Sequence, residues 1–332
     1  MPILAGREVG PIGFGMMGLT WAAEPVPEEQ AFATLKAALA NGMNFWNGGE
    51  FYGPPERNSL VLLERYFARY PEDADQVVLS IKGGVDVGEH AHVADGSPEN
   101  TRRSLDQCIA QLKGRKKIDI FEFGRRDERV PLSVTFGIIE KEYVQTGKIG
   151  GISLSEVRAE TIHEAVKITK IVSVEVELSL FSREILENGV AAACAQHGIP
   201  VIAYSPVGRG FLAGRYQTIE DVKPALRSWP WFQPGHFEAN LRLARRVEEL
   251  AVRKGVAPAQ LAINWACRVA SWRRGGVPET IIPIPGATTA ARVRENARVV
   301  EISDEEMAFI DGVIAGFTAS GNRYPDHVPT NT

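Results

Sequence analysis

Asn44-Phe45-Trp46-Asn47-Gly48-Gly49-Glu50-Phe51-Tyr52-Gly53 ends a short apolar segment and delivers a phenol, Tyr52, just past its end. About one strand later, Leu79-Ser80-Ile81-Lys82-Gly83-Gly84 does the same for an ammonium, Lys82. A tyrosine titrates near pH ~10 and gives up its proton reluctantly, and a nearby positive charge lowers that value. A phenol tuned in this way can protonate a carbonyl oxygen while hydride reaches the carbon. Taken singly, each residue also fits a structural role in a turn or at a strand end. Placed together at one mouth, they suit carbonyl reduction.

Short apolar runs alternate with longer amphipathic ones along the chain. Strands are predicted over Gly10–Phe14, Met43–Trp46, Val77–Lys82, Ile118–Phe123, Gly151–Leu154, Val172–Val176, Val201–Tyr204 and Ile281–Ile284. Helical periodicity fills the gaps: Glu29–Asn41 aligns Phe32, Leu35 and Leu39 on one face, and Ser97-Pro98-Glu99 opens Asn100–Leu112. Further helices are predicted over Leu132–Thr146, Ala159–Thr169, Ile185–His197, Ala239–Lys254, Pro258–Cys267, Ala290–Ala297 and Asp304–Ala315. Eight strand–helix units with right-handed crossovers close most naturally into a (β/α)8 barrel of the TIM type, residues 1–332 forming one domain. A doubly wound open sheet would carry a glycine-rich phosphate loop after its first strand. Gly13-Phe14-Gly15-Met16-Met17-Gly18 is not the glycine-rich helix start of such a loop with an acid about 20 residues on. In a barrel, Tyr52 and Lys82 end neighbouring strands about 4.8 Å apart. The long stretch Gly214–His236, with Trp229-Pro230-Trp231-Phe232, reads as a lid or a packed surface loop.

Composition narrows the partners. The chain is 44% apolar and 23% charged with net charge −4, which gives no electrostatic case for nucleic acid or an anionic membrane surface. No apolar run approaches the roughly 20 residues that span a bilayer, and the first residues lack a targeting pattern. Cys108, Cys194 and Cys267 are far apart, without disulfide or metal spacing. A cytoplasmic setting is expected. His90 and His92, two apart, lack a third ligand, so no metal is expected; His163, His197, His236 and His327 read as structural. Oligomeric state is not legible.

The residues around Tyr52 and Lys82 resemble the aldo-keto reductases, whose tetrad of Asp, Tyr, Lys and His lies on the second, second, third and fourth strands. Tyr52 and Lys82 match; the aspartate position falls on Asn47 and the histidine position on Gly124. Trp46–Gly53 and Val174-Glu175-Val176-Glu177-Leu178-Ser179-Leu180-Phe181-Ser182-Arg183 are similar to the fungal pyridoxal reductases, a branch with Asn and a small residue at those two positions. The likeness runs from Pro11 to about Tyr324. It implies reduction of a small-molecule aldehyde, pyridoxal to pyridoxine, with Tyr52 as proton donor. Asn47 is expected to hydrogen-bond Lys82 without holding it as an ion pair, leaving the lysine a stronger depressor of the tyrosine pKa. A reductase of another aromatic or secondary-metabolite aldehyde, or a silent NADPH-binding regulatory subunit, stays open.

Ile284–Asn296 joins the last strand to a helix, whose N-terminal N–H groups suit phosphate. The resemblance makes NADPH the expected cofactor. It implies contacts from Gly15 and Met16, from Gly286 and Thr288, from Arg292 to an adenosine 2′-phosphate, and from Glu295 and Asn296 to adenine. Tyr204, Ser205, Pro206, Val207, Gly208 and Gly210 resemble the segment that stacks on nicotinamide and follows the pyrophosphate. Ser155, Glu156 and Glu175 fall on carboxamide-holding positions. Two ionised acids there would favour NADP⁺ over NADPH; the alternative is that one is protonated or paired with Lys82 or an arginine. Trp21, Trp46, Phe51 and the Trp229–Phe232 loop are candidates for an aromatic substrate wall, with Gly124 and Arg125 beside them. Arg323-Tyr324 are placed to close over the pocket.

Overall fold

The computed structural model describes residues 1–332 except 23, 87–92, 274, 326–327, 329 and 331–332. A hairpin, β1 (Ile3–Leu4) and β2 (Arg7–Glu8), precedes eight parallel strands. These are β3 (Phe14–Gly15), β4 (Phe45–Gly49), β5 (Val78–Gly83), β6 (Ile120–Phe123), β7 (Ile152–Ser155), β8 (Ile171–Glu177), β9 (Val201–Tyr204) and β10 (Ile281–Pro283). They pair in sequence order. The ring closes where Gly13 N donates to Pro283 O at 2.9 Å and Gly15 bridges Gly286 in parallel. That seam requires glycine, since a Cβ at Gly15 would sit 2.8 Å from Ile284 O. The (β/α)8 barrel is thus the fold of this chain.

Period-two alternation divides the side chains into two cores. Phe45, Val78, Ile120, Ile202, Ile282 and Ile284 fill the barrel's lower interior, where Leu4 and Val9 of the hairpin region seal its base. A larger cluster fills the layer between strands and helices and includes Trp46, Phe67 and Phe121. Above the apolar floor, the inward positions turn polar, and this is where the chemistry-bearing residues lie.

Of the elements outside the predicted set, two bear on the barrel's walls and base. One is the hairpin, whose strands are too short to show a period. The other is the helix Ser59–Arg69, whose N-cap Asn58 accepts hydrogen bonds from the N–H groups of Leu60 and Val61. Its face of Leu60, Leu63, Tyr66 and Phe67 is fully buried, and Phe67 stacks on Trp46 at 6.0 Å. Other helices begin or end within a few residues of their predicted bounds, although Leu132–Thr146 changes to a wider turn at Glu140–Val144 and Ala159–Thr169 shortens to Ala159–Ala165. The Gly214–His236 stretch is no open lid. It carries the short helices Ile219–Asp221, Pro224–Arg227 and Pro230–Phe232, with Trp231 and Phe232 buried and Phe232 stacked on Phe211. After the helix Asp304–Ala315, the tail returns to the barrel mouth, tied by Arg183 Nη2 to Phe317 O (2.8 Å) and by Ser320 N to Asn240 Oδ1 (2.8 Å). Among the described residues, no helix is long and apolar enough to cross a membrane.

Candidate active site

Strand register assembles the centre. Lys82 is the ladder partner of both Gly49 on β4 and Glu122 on β6, so it points inward beside Glu122. Its Nζ lies 3.3 Å from the Tyr52 hydroxyl, 2.6 Å from Glu175 Oε1 and 3.1 Å from Glu122 Oε1. All four residues are buried. Burial works against the charge on Lys82, but Glu122 and Glu175 hold its pKa well above the ordinary lysine value. Tyr52 is pushed up to about 12: burial dominates, Lys82 lowers the value, and Glu175 and Glu122 raise it again. The phenol therefore keeps its proton at neutral pH, as a proton donor must.

Three expectations change here. Asn47 Nδ2 donates to Glu175 Oε2 at 2.6 Å and to Glu122 Oε2 at 3.3 Å, so it braces the acids that hold the lysine. Lys82 is an ion-paired lysine after all, held closest by Glu175, and its effect on Tyr52 is offset by the acids beside it. The histidine position is closed to any side chain that leaves its neighbours in place. A Cβ on Gly124 would meet Gly83 O at 3.2 Å and Phe51 Cε1 and Val85 Cγ1 at 3.3 Å. Glu122 escaped the sequence reading; its signal is an acid between Phe121 and Phe123 in the run Ile118–Phe123, which also holds Asp119.

A second polar layer lies nearer the rim. Arg323 Nη2 pairs with Glu156 Oε2 at 3.0 Å, its Nη1 with Glu177 Oε2 at 3.2 Å, and Arg209 Nη2 with Glu177 Oε2 at 2.8 Å. The Tyr204 hydroxyl donates to Glu156 Oε1 (2.9 Å) and lies 2.8 Å from the Tyr324 hydroxyl. Burial alone would raise the Glu156 carboxyl, but Arg323, Arg125 and its hydrogen bonds hold it below its usual range. Arg209 lies over the rings of Tyr324, Trp231 and Trp229 at 4.5, 4.6 and 5.0 Å. Glu156 and Glu175 are therefore engaged, with Arg323 and Lys82 respectively, which removes the basis for two uncompensated carboxylates beside a nicotinamide. Arg323 and Tyr324 do close over the mouth.

The loops expected to hold a dinucleotide are contiguous, because β9 pairs with β10 and β10 meets β3 at the seam. Met16 N donates to Asn47 O, and the Thr288 carbonyl accepts from Gln30 Nε2. Ser205 (φ 52°), Gly208 (φ 55°) and Gly210 (φ 104°) turn the chain after Tyr204 through left-handed conformations into the short helix Gly208–Ala213. Ser155 accepts from Arg125 Nη1 at 3.2 Å and is the ladder partner of Glu175. Arg292 forms an ion pair with Glu295 on the helix Ala290–Asn296, and Asn296 is buried. Pro206 and Val207 continue the same turn.

On the other side of the mouth, Trp21 stacks on Tyr52 (5.6 Å, 29°) and meets Phe51 edge-on. Trp46 does not join them. Its side chain is fully buried on the outer face of β4 and donates to Met43 O, so it packs and lines nothing. Trp231 and Phe232 are likewise buried; Trp229 touches Tyr324, and Trp229 and Trp231 both lie against Arg209. His90, His92 and His327 lie outside the described residues. Among those described, no group of three or more His, Cys, Asp or Glu is arranged to hold a metal ion.

A barrel whose mouth sets a buried lysine against a tyrosine, beside a cradle of loops after its last two strands, defines a class, and residues 11–315 match the aldo/keto reductase family. The chain belongs to that family. It is 40% identical over 98% of its length, and 97% of the relative's, to a Schizosaccharomyces pombe protein named "Probable pyridoxal reductase 2". It is 36% identical to the "Putative pyridoxal reductase" of Saccharomyces cerevisiae, covering 94% of this chain and 95% of that one. In fold it is similar to the solved glycerol dehydrogenase of Gluconobacter oxydans, with TM-score 0.77, 22% identity and 92% of each chain covered.

Proposed function

We propose that this chain reduces an aldehyde with NADPH, pyridoxal to pyridoxine being the favoured reaction, and that residues 1–332 act as one unit. The observation that carries the reading is the 3.3 Å approach of Lys82 Nζ to the Tyr52 hydroxyl inside a buried mouth. NADPH, when bound, supplies the hydride. Tyr52 gives its proton to the carbonyl oxygen, so RCHO, the hydride and one proton yield RCH₂OH. Lys82 steadies the phenolate left behind, and Glu122, Glu175 and Asn47 fix Lys82 in place. Trp21 and Phe51 offer flat apolar faces to an aromatic aldehyde beside Tyr52. The loops carrying Gly15, Met16, Tyr204–Gly210 and Gly286–Asn296 would hold the cofactor, with Arg292 toward a 2′-phosphate. Pyridoxal is preferred among aldehydes because the relatives just described carry that activity in their names.

The test is NADPH oxidation by the purified protein with pyridoxal, beside Tyr52→Phe. Turnover is expected in the parent and a loss of about 10²–10⁴-fold in the variant, with NADPH affinity retained. Turnover with other aromatic aldehydes but not pyridoxal would reassign the substrate. Tight NADPH binding with no turnover on any aldehyde would overturn the reductase reading in favour of a binding subunit.

A further inference from the structure

The mouth holds more acid than its lysine can balance. Glu122 and Glu175 are each 1% exposed and Lys82 5%, so one buried cation faces two buried carboxyl groups. An uncompensated charge is costly there, and a proton on one acid removes it. The two acids differ in geometry. Glu175 receives contacts of 2.6 Å from both Lys82 Nζ and Asn47 Nδ2, which suits an ionised carboxylate. Glu122 is held more slackly. Its Oε2 is 3.3 Å from Asn47 Nδ2, and its Oε1 lies 3.1 Å from Lys82 Nζ but off the line of a hydrogen bond, leaving that buried oxygen without a donor. The groups that face Glu122 are Lys82 from β5, Asn47 from β4 and Glu175 from β8, with Tyr52 beyond Lys82.

Resting on the reading of Tyr52 as proton donor, we propose that Glu122 is the proton store of this site, a neutral acid that reloads Tyr52 through Lys82 after each reduction. The Tyr52 O–H bond breaks as the carbonyl oxygen gains the proton. The phenolate then takes a proton from Lys82 Nζ across 3.3 Å, and the resulting amine turns its lone pair toward Glu122 Oε1, 3.1 Å away, and takes the carboxyl proton. Three hops deliver one net proton to the substrate, no electron passes through these residues, and the negative charge ends on Glu122. Solvent restores its proton when the product leaves. Burial and the neighbouring Glu175 both push the Glu122 carboxyl well above the ordinary range, which agrees with this assignment.

Two measurements test it. Infrared spectra of the protein without cofactor at neutral pH should contain the C=O band of a protonated carboxyl group, kept in Tyr52→Phe and lost in Glu122→Gln. Rapid mixing should find first-turnover hydride transfer in Glu122→Gln impaired at least about fivefold less than steady-state kcat. Steady-state kcat should fall about tenfold or more, and its alkaline limb should vanish. If Glu122→Gln fails to fold, Glu175→Gln carries the spectral test, because one carboxyl per cation must also abolish the band. No band in an active parent overturns the proton store alone. Equal loss of first turnover and kcat in Glu122→Gln also overturns it, by reducing Glu122 to a structural prop. A band in a protein that turns over no aldehyde overturns the relay together with the reductase reading.

Discussion

Asn47 braces two carboxyl groups with one amide nitrogen, and that geometry decides what restoring an acid at this position would do. Asn47→Asp adds a third carboxyl group against a single buried cation and removes the donor between the other two. We expect a loss of about 2–4 kcal/mol near neutral pH and no gain in kcat. The added carboxyl destabilises only when ionised, and its acidic neighbours raise its folded pKa, so the deficit should shrink as pH falls from neutral and be gone below about 4; denaturant melts across pH would measure it. A variant that is more stable or faster than the parent would count against the arrangement. Tyr52 and Lys82 were legible because each stands alone as a polar group at a strand end. Glu122 was not, because nothing in a local run tells whether an inward acid meets a cation from another strand. The ladder partnership of Lys82 with Glu122 exists only once register is set.

At the scale of elements, the strand runs were readable because both faces of a parallel strand are apolar along most of its length. For the same reason inside and outside could not be told apart, and Trp46 was assigned to a substrate wall while it faces the helix Ser59–Arg69. That helix was passed over because its apolar face begins right after the turn carrying Tyr52, where polar residues hide the period. Trp46→Ala should cost about 3–5 kcal/mol through the cavity left against Tyr66 and Phe67. The Michaelis constants for NADPH and aldehyde should stay within about twofold. A shift in aldehyde affinity without loss of melting temperature would return Trp46 to the pocket.

For the molecule as a whole, the eightfold alternation was enough to indicate a barrel, but not the strap that crosses its mouth. Arg323 reaches Glu156 over 167 positions of chain, a contact no periodicity announces. Removing it by Arg323→Ala leaves two buried acids with fewer cations and should cost about 3 kcal/mol at neutral pH. Glu156 is held below its usual range, so this contribution is present above the unfolded value of about 4.3 and is lost as pH falls through the folded one. The gap between parent and variant should therefore narrow in acid, as thermal melts at several pH values would record. An equal gap at every pH would mean that the arginine acts by packing alone.

The base of the barrel is closed by Leu4 and Val9 over Ile120, Ile202 and Ile282. A vessel with one opening imposes a queue. On the proposed reading, with the dinucleotide held in the loops after the last two strands, the cofactor is expected to board first and depart last, the aldehyde and its alcohol coming and going above it. Spent NADP⁺ should accordingly compete with NADPH for the empty enzyme, while against aldehyde it should lower the maximal rate without simple competition. Random-order inhibition patterns would mean that a second route into the barrel exists.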